Sequence, residues 1–331
     1  MPLDANLAQA ALATARVVSL PMRVGFRGVL VRETLLFEGP QGWAEWAPFI
    51  EYTDAEAAVW LSAALDYAGT KTPDLVRDRI GINATLPAVA PEAVADALAP
   101  FGKFRTVKIK VAETGQKMAD DLARIRKVRE LYPDARIRLD ANGGFTEATA
   151  MQLGYRLSHA GIELDYFEQP VRDLDGLAKL RTSLNPKGIL VAADESVRKA
   201  EDPLAVARAG AADLLVIKAA PLGGIHRALG VISEAGLPAV VSSALETSVG
   251  IGMGLHLAGC IPEMEYDCGL GTVALFVEDV CDDPLMPVNG YLPVRRATPS
   301  QARLNRLAAS PERTQWWLER LERCLTLLQN S

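Results

Sequence analysis

Histidine is nearly absent from this chain, with three in 331 residues, and cysteine is scarce, with four. His159 falls near the end of a predicted helix, where a charge–dipole role accounts for it. His226 and His256 fall inside predicted helices, so no histidine-based triad is assembled. Cys260, Cys268, Cys281 and Cys324 show no C-x2-C spacing. They read as free thiols of a reducing cytosol rather than as zinc ligands or a disulfide framework. There is no G-x-S-x-G elbow and no Walker A sequence. No apolar run approaches the ~20 residues that span a bilayer. The first residues carry Asp4 with no basic segment ahead of an apolar core, which predicts no signal peptide. A net charge of −6 without any basic stripe argues against nucleic acid as a partner.

What is present is globular composition, 49% apolar and 23% charged, in a chain long enough for one large α/β barrel or two ordinary domains. Residues 1–16 are Ala-rich and read as a loosely held start. Residues 17–47 are strand-like, punctuated by glycine turns, and Thr53-Asp-Ala-Glu56 is a capping box opening a helix to about residue 67. Strands followed by a helix, without a βαβ rhythm, predict a small α+β unit over residues 1–79. From residue 80 to 293 the rhythm changes. Short apolar strands are predicted at 81–85, 104–111, 137–142, 164–169, 189–195, 214–219, 239–245 and 270–276. Helical stretches lie between them at 118–132, 146–160, 203–209, 223–235 and 248–259. About eight strands with crossover helices predict a (β/α) barrel, with an open doubly wound sheet as the competing fold. Residues 294–331 end in a helix over 301–328 whose Trp316 and Trp317 have apolar surface to bury, on the first unit by expectation.

The charged residues then fall into phase. In 105–111, Val107, Ile109 and Val111 alternate with Lys108 and Lys110, which places two ammonium groups on the interior face, ~7 Å apart. Buried lysines are costly unless paired, so anionic company is expected. The later strand ends supply it as Asp140, Glu168 and Asp194, and then Lys218. The steps from Lys110 onward are 30, 28, 26 and 24 residues, each near one βα unit. Catalytic groups of this barrel class sit at the carboxyl ends of strands, so five successive strands deliver one charge each to the same rim. Taken singly, each has a bland reading: Asp140-Ala-Asn-Gly143 as a turn, Asp194-Glu-Ser196 as a helix cap, Lys-x-Lys as a solvated face. Together, three hard carboxylates with no nearby His or Cys call for Mg2+, or Mn2+ in its place. A lysine beside such a cation can take a proton α to a carboxylate, provided that a neighbouring ammonium and burial depress its pKa. That assigns Lys110 as base and Lys108 as its neighbour. Ser242 and Ser243 at the end of strand seven, Arg138 on the same face as Asp140, and Arg27 in a glycine-flanked loop are candidate substrate contacts. Gly250-x-Gly252-x-Gly254 lacks the full dinucleotide fingerprint and reads as close packing.

Lys108-x-Lys110, Asp140, Glu168, Asp194 and Lys218 resemble the muconate-lactonizing subgroup of the enolase superfamily, whose Lys-plus-Mg2+ pattern is a known template. Arg138-Leu-Asp-Ala-Asn142, Ala193-Asp-Glu-Ser196, Ser242-Ser-Ala-Leu-Glu-Thr-Ser248, Lys218-Ala-Ala-Pro-Leu-Gly-Gly224 and Gly269-Leu-Gly-Thr-Val-Ala-Leu275 are similar to the short actinobacterial o-succinylbenzoate synthases. The resemblance implies a modified (β/α)7β TIM barrel with an α+β capping domain built from both ends of the chain. It also implies Mg2+ on Asp140, Glu168 and Asp194, a small-molecule carboxylate substrate, and a carbon–oxygen lyase of menaquinone biosynthesis in the cytoplasm. Lys110 would remove the α proton and Lys218 would supply positive charge to the opposite face of the ring. The rivals are an N-succinylamino acid racemase or dipeptide epimerase using the same two lysines, a muconate cycloisomerase, and a non-catalytic carboxylate-binding barrel.

Overall fold

The computed structural model describes residues 4–26, 28–198 and 202–330. The chain opens with helix α1 (Ala5–Thr14), which Asp4 caps by accepting the amide of Asn6 at 2.9 Å. Ala8 and Ala11 are buried, so this start is a packed helix rather than the loose segment expected from its alanines. Strands β1 (Arg16–Phe26), β2 (Val29–Gly39) and β3 (Gly42–Trp46) follow as an antiparallel meander. Helix α2 (Asp54–Gly69) then starts at the predicted capping box, with Thr53 and Glu56 bonding each other's backbone. It packs on β2 and β3 of the meander and buries Trp60, Leu61, Ala64 and Leu65.

A short strand, β4 (Arg79–Gly81), precedes the barrel. The parallel elements are then β5 (Ala84–Leu86), helix α3 (Val94–Leu98), β6 (Thr106–Lys110), α4 (Met118–Leu131), β7 (Arg136–Asp140), α5 (Glu147–His159) and β8 (Leu164–Glu168). Helix α6 (Leu174–Leu184), β9 (Val191–Ala193), the one-turn helices α7 (Glu195–Arg198) and α8 (Ala205–Arg208), β10 (Leu214–Ile217), α9 (Ile225–Ala235), β11 (Ala239–Val241) and α10 (Ser248–Cys260) complete the series. Seven strands, β5 to β11, pair in chain order, all parallel, as right-handed βα crossovers require.

Residues 270–276, expected as strand eight, instead hold a 3-10 turn at Thr272–Leu275. The sheet is closed two residues earlier, where Cys268 bridges to Ile82 and Gly269 to Ser242, both parallel. The apolar run is buried throughout, and a run buried on all sides carries no period that tells strand from turn. Strand β12 (Tyr291–Pro293) returns antiparallel to β4, outside the barrel.

The predicted terminal helix is two. Helix α11 (Gln301–Arg306) ends where Leu307 and Ala309 bond the backbone of β1, and α12 (Pro311–Gln329) restarts with Ser310 as its cap and Pro311 in its first turn. Helix α12 packs on α2, with Trp317 edge-on to Trp46 at 5.4 Å and Arg320 donating to the carbonyls of Phe49 and Tyr52. Among the described residues no helix is long and apolar enough to cross a membrane.

Candidate active site

Parallel pairing sets the height of each charged residue. Lys108 lies level with Arg138, Lys110 with Asp140, and Asp140 with Glu168, while Ala192 stands beside Glu168 two residues before Asp194. Lys108, Lys110, Asp140, Glu168, Asp194 and Lys218 therefore line one cavity at the carboxyl ends of the strands. The capping segment closes that cavity with Phe26 and Phe49, and the strand-seven loop with Ser242, Ser243, Ala244 and Leu245.

Every charge in the cavity is buried and partnered. Lys110 Nζ donates to Asp140 Oδ2 at 2.5 Å and to Asn142 Oδ1 at 2.7 Å, and stands 5.1 Å from the centre of the Phe26 ring. Lys108 Nζ bridges two acids, at 3.0 Å from Glu168 Oε2 and 3.4 Å from the same Asp140 Oδ2. On the opposite wall Lys218 Nζ donates to Asp194 Oδ1 at 2.5 Å. Arg198 donates to that oxygen as well, at 3.0 Å.

These pairings decide protonation. Burial opposes the charge on Lys108, but Glu168 and Asp140 outweigh it and hold its pKa above that of an ordinary lysine. Lys108 is thus a standing cation beside Lys110. Burial would raise Asp140 and Asp194 too. Lys110 and Lys108 reverse that at Asp140, and Lys218 and Arg198 at Asp194, so both lie well below the usual carboxylate range. Glu168 goes the other way, pushed up to about 7 by burial and by the charge on Asp140, against the pull of Lys108.

Three acids on one cavity supply donors of the chemical kind that a divalent cation takes. All the donors are hard oxygens, and neither histidine nor cysteine lines the cavity. Among the described residues no three His, Cys, Asp or Glu groups stand together in ligand geometry; lysine ammonium groups bridge or hold the acids instead.

The predicted substrate contacts separate. Ser242 and Ser243 line the cavity, and Ser243 Oγ shares a 2.6 Å hydrogen bond with Thr272 Oγ1. Arg138 does not line it. One pleat below Asp140, its guanidinium is fully buried, bonded to Asp165 Oδ2 at 2.8 Å and to the Asp267 carbonyl at 2.5 Å, and stacked over Tyr166. Phase placed it inside the barrel, but while Lys108, level with it, reaches the cavity, Arg138 is turned to the floor by Asp165 and Asp267. Arg27 lies outside the described residues. Gly250, Gly252 and Gly254 allow close packing of α10, and a Cβ at Gly254 would stand 2.6 Å from Leu270.

Several cavity residues carried no separate signal in the sequence. Phe26 and Phe49 come from the first unit, and Arg32, which does not itself line the cavity, reaches from β2 to donate to the carbonyls of Leu245 at 3.2 Å and Ala244 at 3.3 Å. Leu245 adopts φ +63°, a left-handed conformation costly for a branched side chain, and these bonds help to hold it. Arg198 did leave a trace: it follows Asp194 by four residues, the spacing of an acid–base pair on one helix face.

Residues 17–68 match the enolase N-terminal domain-like family and residues 89–299 the enolase C-terminal domain-like family. The chain is 50% identical over 312 residues to the o-succinylbenzoate synthase of Mycobacterium tuberculosis, covering 94% of each chain. It is 51% identical to the protein of that name from Mycolicibacterium smegmatis, covering 94% of this chain and 95% of the other. Among solved structures it resembles the muconate lactonizing enzyme of Pseudomonas fluorescens, with TM-score 0.74 and 18% identity over 89% of this chain and 98% of that one. The L-Ala-D/L-Glu epimerase of Bacillus subtilis is similar at TM-score 0.73 and 22% identity, covering 86% of this chain and 96% of that one. At these identities the structural likenesses speak for the fold alone.

Proposed function

The chain belongs to the enolase superfamily, in the o-succinylbenzoate synthase family, and on that premise we propose how its cavity works. The reaction is dehydration of 2-succinyl-6-hydroxy-2,4-cyclohexadiene-1-carboxylate to o-succinylbenzoate, a lyase step of menaquinone biosynthesis in the cytoplasm. The observation that carries the residue roles is the placing of Lys110 and Lys218 on opposite walls of one cavity, with three carboxylates between.

Asp140, Glu168 and Asp194 would hold Mg2+, or Mn2+ in its place. Such an ion, when bound, supplies positive charge to a substrate carboxylate and so acidifies the carbon next to it. Lys110 Nζ takes the α proton as the C–H electron pair moves into the carboxylate, giving an enediolate. Lys110 then returns that proton to the departing hydroxyl, the C–O bond breaks, and water leaves as the ring becomes aromatic. Nothing is oxidised or reduced. Lys108, which stays charged, offsets the charge of the enediolate. Lys218 presents positive charge to the other face of the ring. Phe26 and Phe49 exclude water above the reacting carbon.

Purified protein with Mg2+ should turn the cyclohexadiene acid into o-succinylbenzoate, followed by ultraviolet absorbance, and chelation should stop it. Product formed at an undiminished rate by Lys110→Ala would end this assignment. The same two walls also favour a second reading, 1,1-proton transfer between Lys110 and Lys218 on a succinylated amino acid. Deuterium exchange at its α carbon in heavy water separates the two activities.

A further inference from the structure

Around the rim, behind the acids and lysines, runs a second set of contacts. Arg198 has a side chain only 3% exposed and spends its donors on three partners from two segments. Nε goes to Asp194 Oδ1 at 3.0 Å, Nη2 to Glu195 Oε1 at 2.6 Å, and Nη1 to the hydroxyl of Tyr52 at 3.0 Å. Glu195 Oε1 also accepts from Asn142 Nδ2 at 3.2 Å, and Asn142 Oδ1 accepts from Lys110 Nζ at 2.7 Å. The contacts are therefore continuous. They run from Lys110 through Asn142, Glu195, Arg198 and Asp194 to Lys218 on the far wall.

Two details argue that this arrangement serves the site rather than stability. Glu195 Oε2 is buried with no hydrogen-bond partner among the described residues, and an orphaned buried acceptor costs stability. Asn142 is held at φ +46°, an uncommon conformation outside glycine, with its amide on Asp140 Oδ1 at 3.1 Å. Tyr52 joins the arc to the capping segment, because its ring packs edge-on against Phe49 at 5.4 Å and Phe49 lines the cavity.

We propose that Arg198 is a positioning residue, which fixes Asp194 directly and Lys110 through Glu195 and Asn142, and which Tyr52 keys to the cap. The planar fork is what the role needs: three fixed directions of donation that a lysine, with one nitrogen, cannot reproduce. The arc rests on the reading of Asp194 as a cation ligand and Lys110 as the base.

The test uses the full chain and titrates Mg2+ calorimetrically, alongside turnover of the cyclohexadiene acid. Arg198→Ala should weaken Mg2+ binding ten- to a hundredfold, the usual effect of removing a group that orients a ligand. Arg198→Lys should recover less than half of that loss in logarithmic terms. Tyr52→Phe removes one hydroxyl, should fold even if Arg198→Ala does not, and should lower kcat several-fold with KM little changed. Combined with Asn142→Ala it should cost less than the product of the single effects, since both cut one arc. Unchanged Mg2+ affinity in Arg198→Ala overturns the proposal, as does strict multiplication in the double variant. The Mg2+ titration reads the arc even if the dehydration assay fails, so the two claims fall separately.

Discussion

Strand β7 carries two charged residues into the barrel one pleat apart, Arg138 and Asp140, and they live in different worlds. At the floor, Arg138 binds Asp165 and the Asp267 carbonyl, while Asp267 takes Arg105 at 2.6 Å, Thr106 at 2.7 Å and Arg136 at 3.1 Å. Tyr166 and Tyr266 pack against the Arg138 guanidinium, their rings 5.9 Å apart. At the rim the cations are Lys108, Lys110 and Lys218, and the space above them is a cavity. Arginine keeps its proton at any working pH and fixes geometry through several directed bonds. Lysine is a compact charge that can lose a proton. On the proposed roles, one barrel uses arginine where it needs a fastening and lysine where it needs chemistry, with Arg198 as the arginine that fastens the rim.

The contrast can be broken most directly at Lys110. Lys110→Ala should lower kcat/KM by about 10²–10⁴, the usual range for a positioned acid–base group, and Lys110→Arg should do nearly the same because it keeps charge without a usable base. Urea denaturation of either should show stability retained, since Lys108 still pairs with Asp140. A comparable loss of stability would erase the distinction. The floor should behave in reverse. Arg138→Leu leaves Asp165 only Arg136 at 4.0 Å and leaves the Asp267 carbonyl without its donor, and should cost about 3–5 kcal/mol of unfolding free energy, as breaking one side of a buried pair does. Activity per folded molecule should fall by only a few-fold, and a collapse of kcat in folded Arg138→Leu would move Arg138 into the chemistry.

A third region, the roof, sharpens the comparison by titration. Glu45 on β3 accepts the amides of Thr247 and Gly250 and the Thr247 hydroxyl at the start of α10. Burial, aided by neighbouring Glu246 and opposed by the Thr247 bonds, pushes Glu45 up to about 7. The folded chain therefore binds this proton more tightly than the unfolded chain, whose carboxyl titrates near 4.5. The stability it contributes is full below about pH 4.5 and is lost as pH rises through about 7, on the order of 3 kcal/mol. Glu45→Gln should flatten the slope of unfolding free energy against pH in that window; an unaltered slope would show that Glu45 titrates normally. The smallest effect is expected at the rim hydroxyls. Ser243→Ala should raise KM by up to about tenfold and leave kcat nearly unchanged, as one neutral hydrogen bond warrants. Initial rates across substrate concentration would show it, and a change confined to kcat would exclude a binding role.

The rim was legible in the sequence for a local reason. Strand alternation fixes which face Lys108, Lys110 and Asp140 share, and βα spacing fixes that successive strand ends meet. Neither rule gives the direction that a long side chain takes. Arg138 has the phase of Asp140 and lies level with Lys108, and so was expected at the substrate, but its guanidinium is taken by Asp165 and the Asp267 carbonyl, contacts no strand rule announces. Contacts across units were illegible altogether. Tyr52 and Arg198 are 146 residues apart, and nothing local in either segment announces the other. The eighth strand was misplaced because 270–276 is apolar on every side, whereas the closing bridges fall on Cys268 and Gly269, where a short contact suffices.

Six of the rim's charges balance, Lys108, Lys110 and Lys218 against Asp140, Glu168 and Asp194, and Arg198 beside them is offset by Glu195. A divalent cation and a dicarboxylate substrate also sum to zero, so the pocket returns to electroneutrality only when both guests are aboard. Each should then recruit the other. A dicarboxylate analogue titrated calorimetrically ought to bind far more tightly with Mg2+ than without it, and Mg2+ more tightly in the analogue's presence by the same factor. Independent binding of the two would mean that the six charges do not act as one ledger.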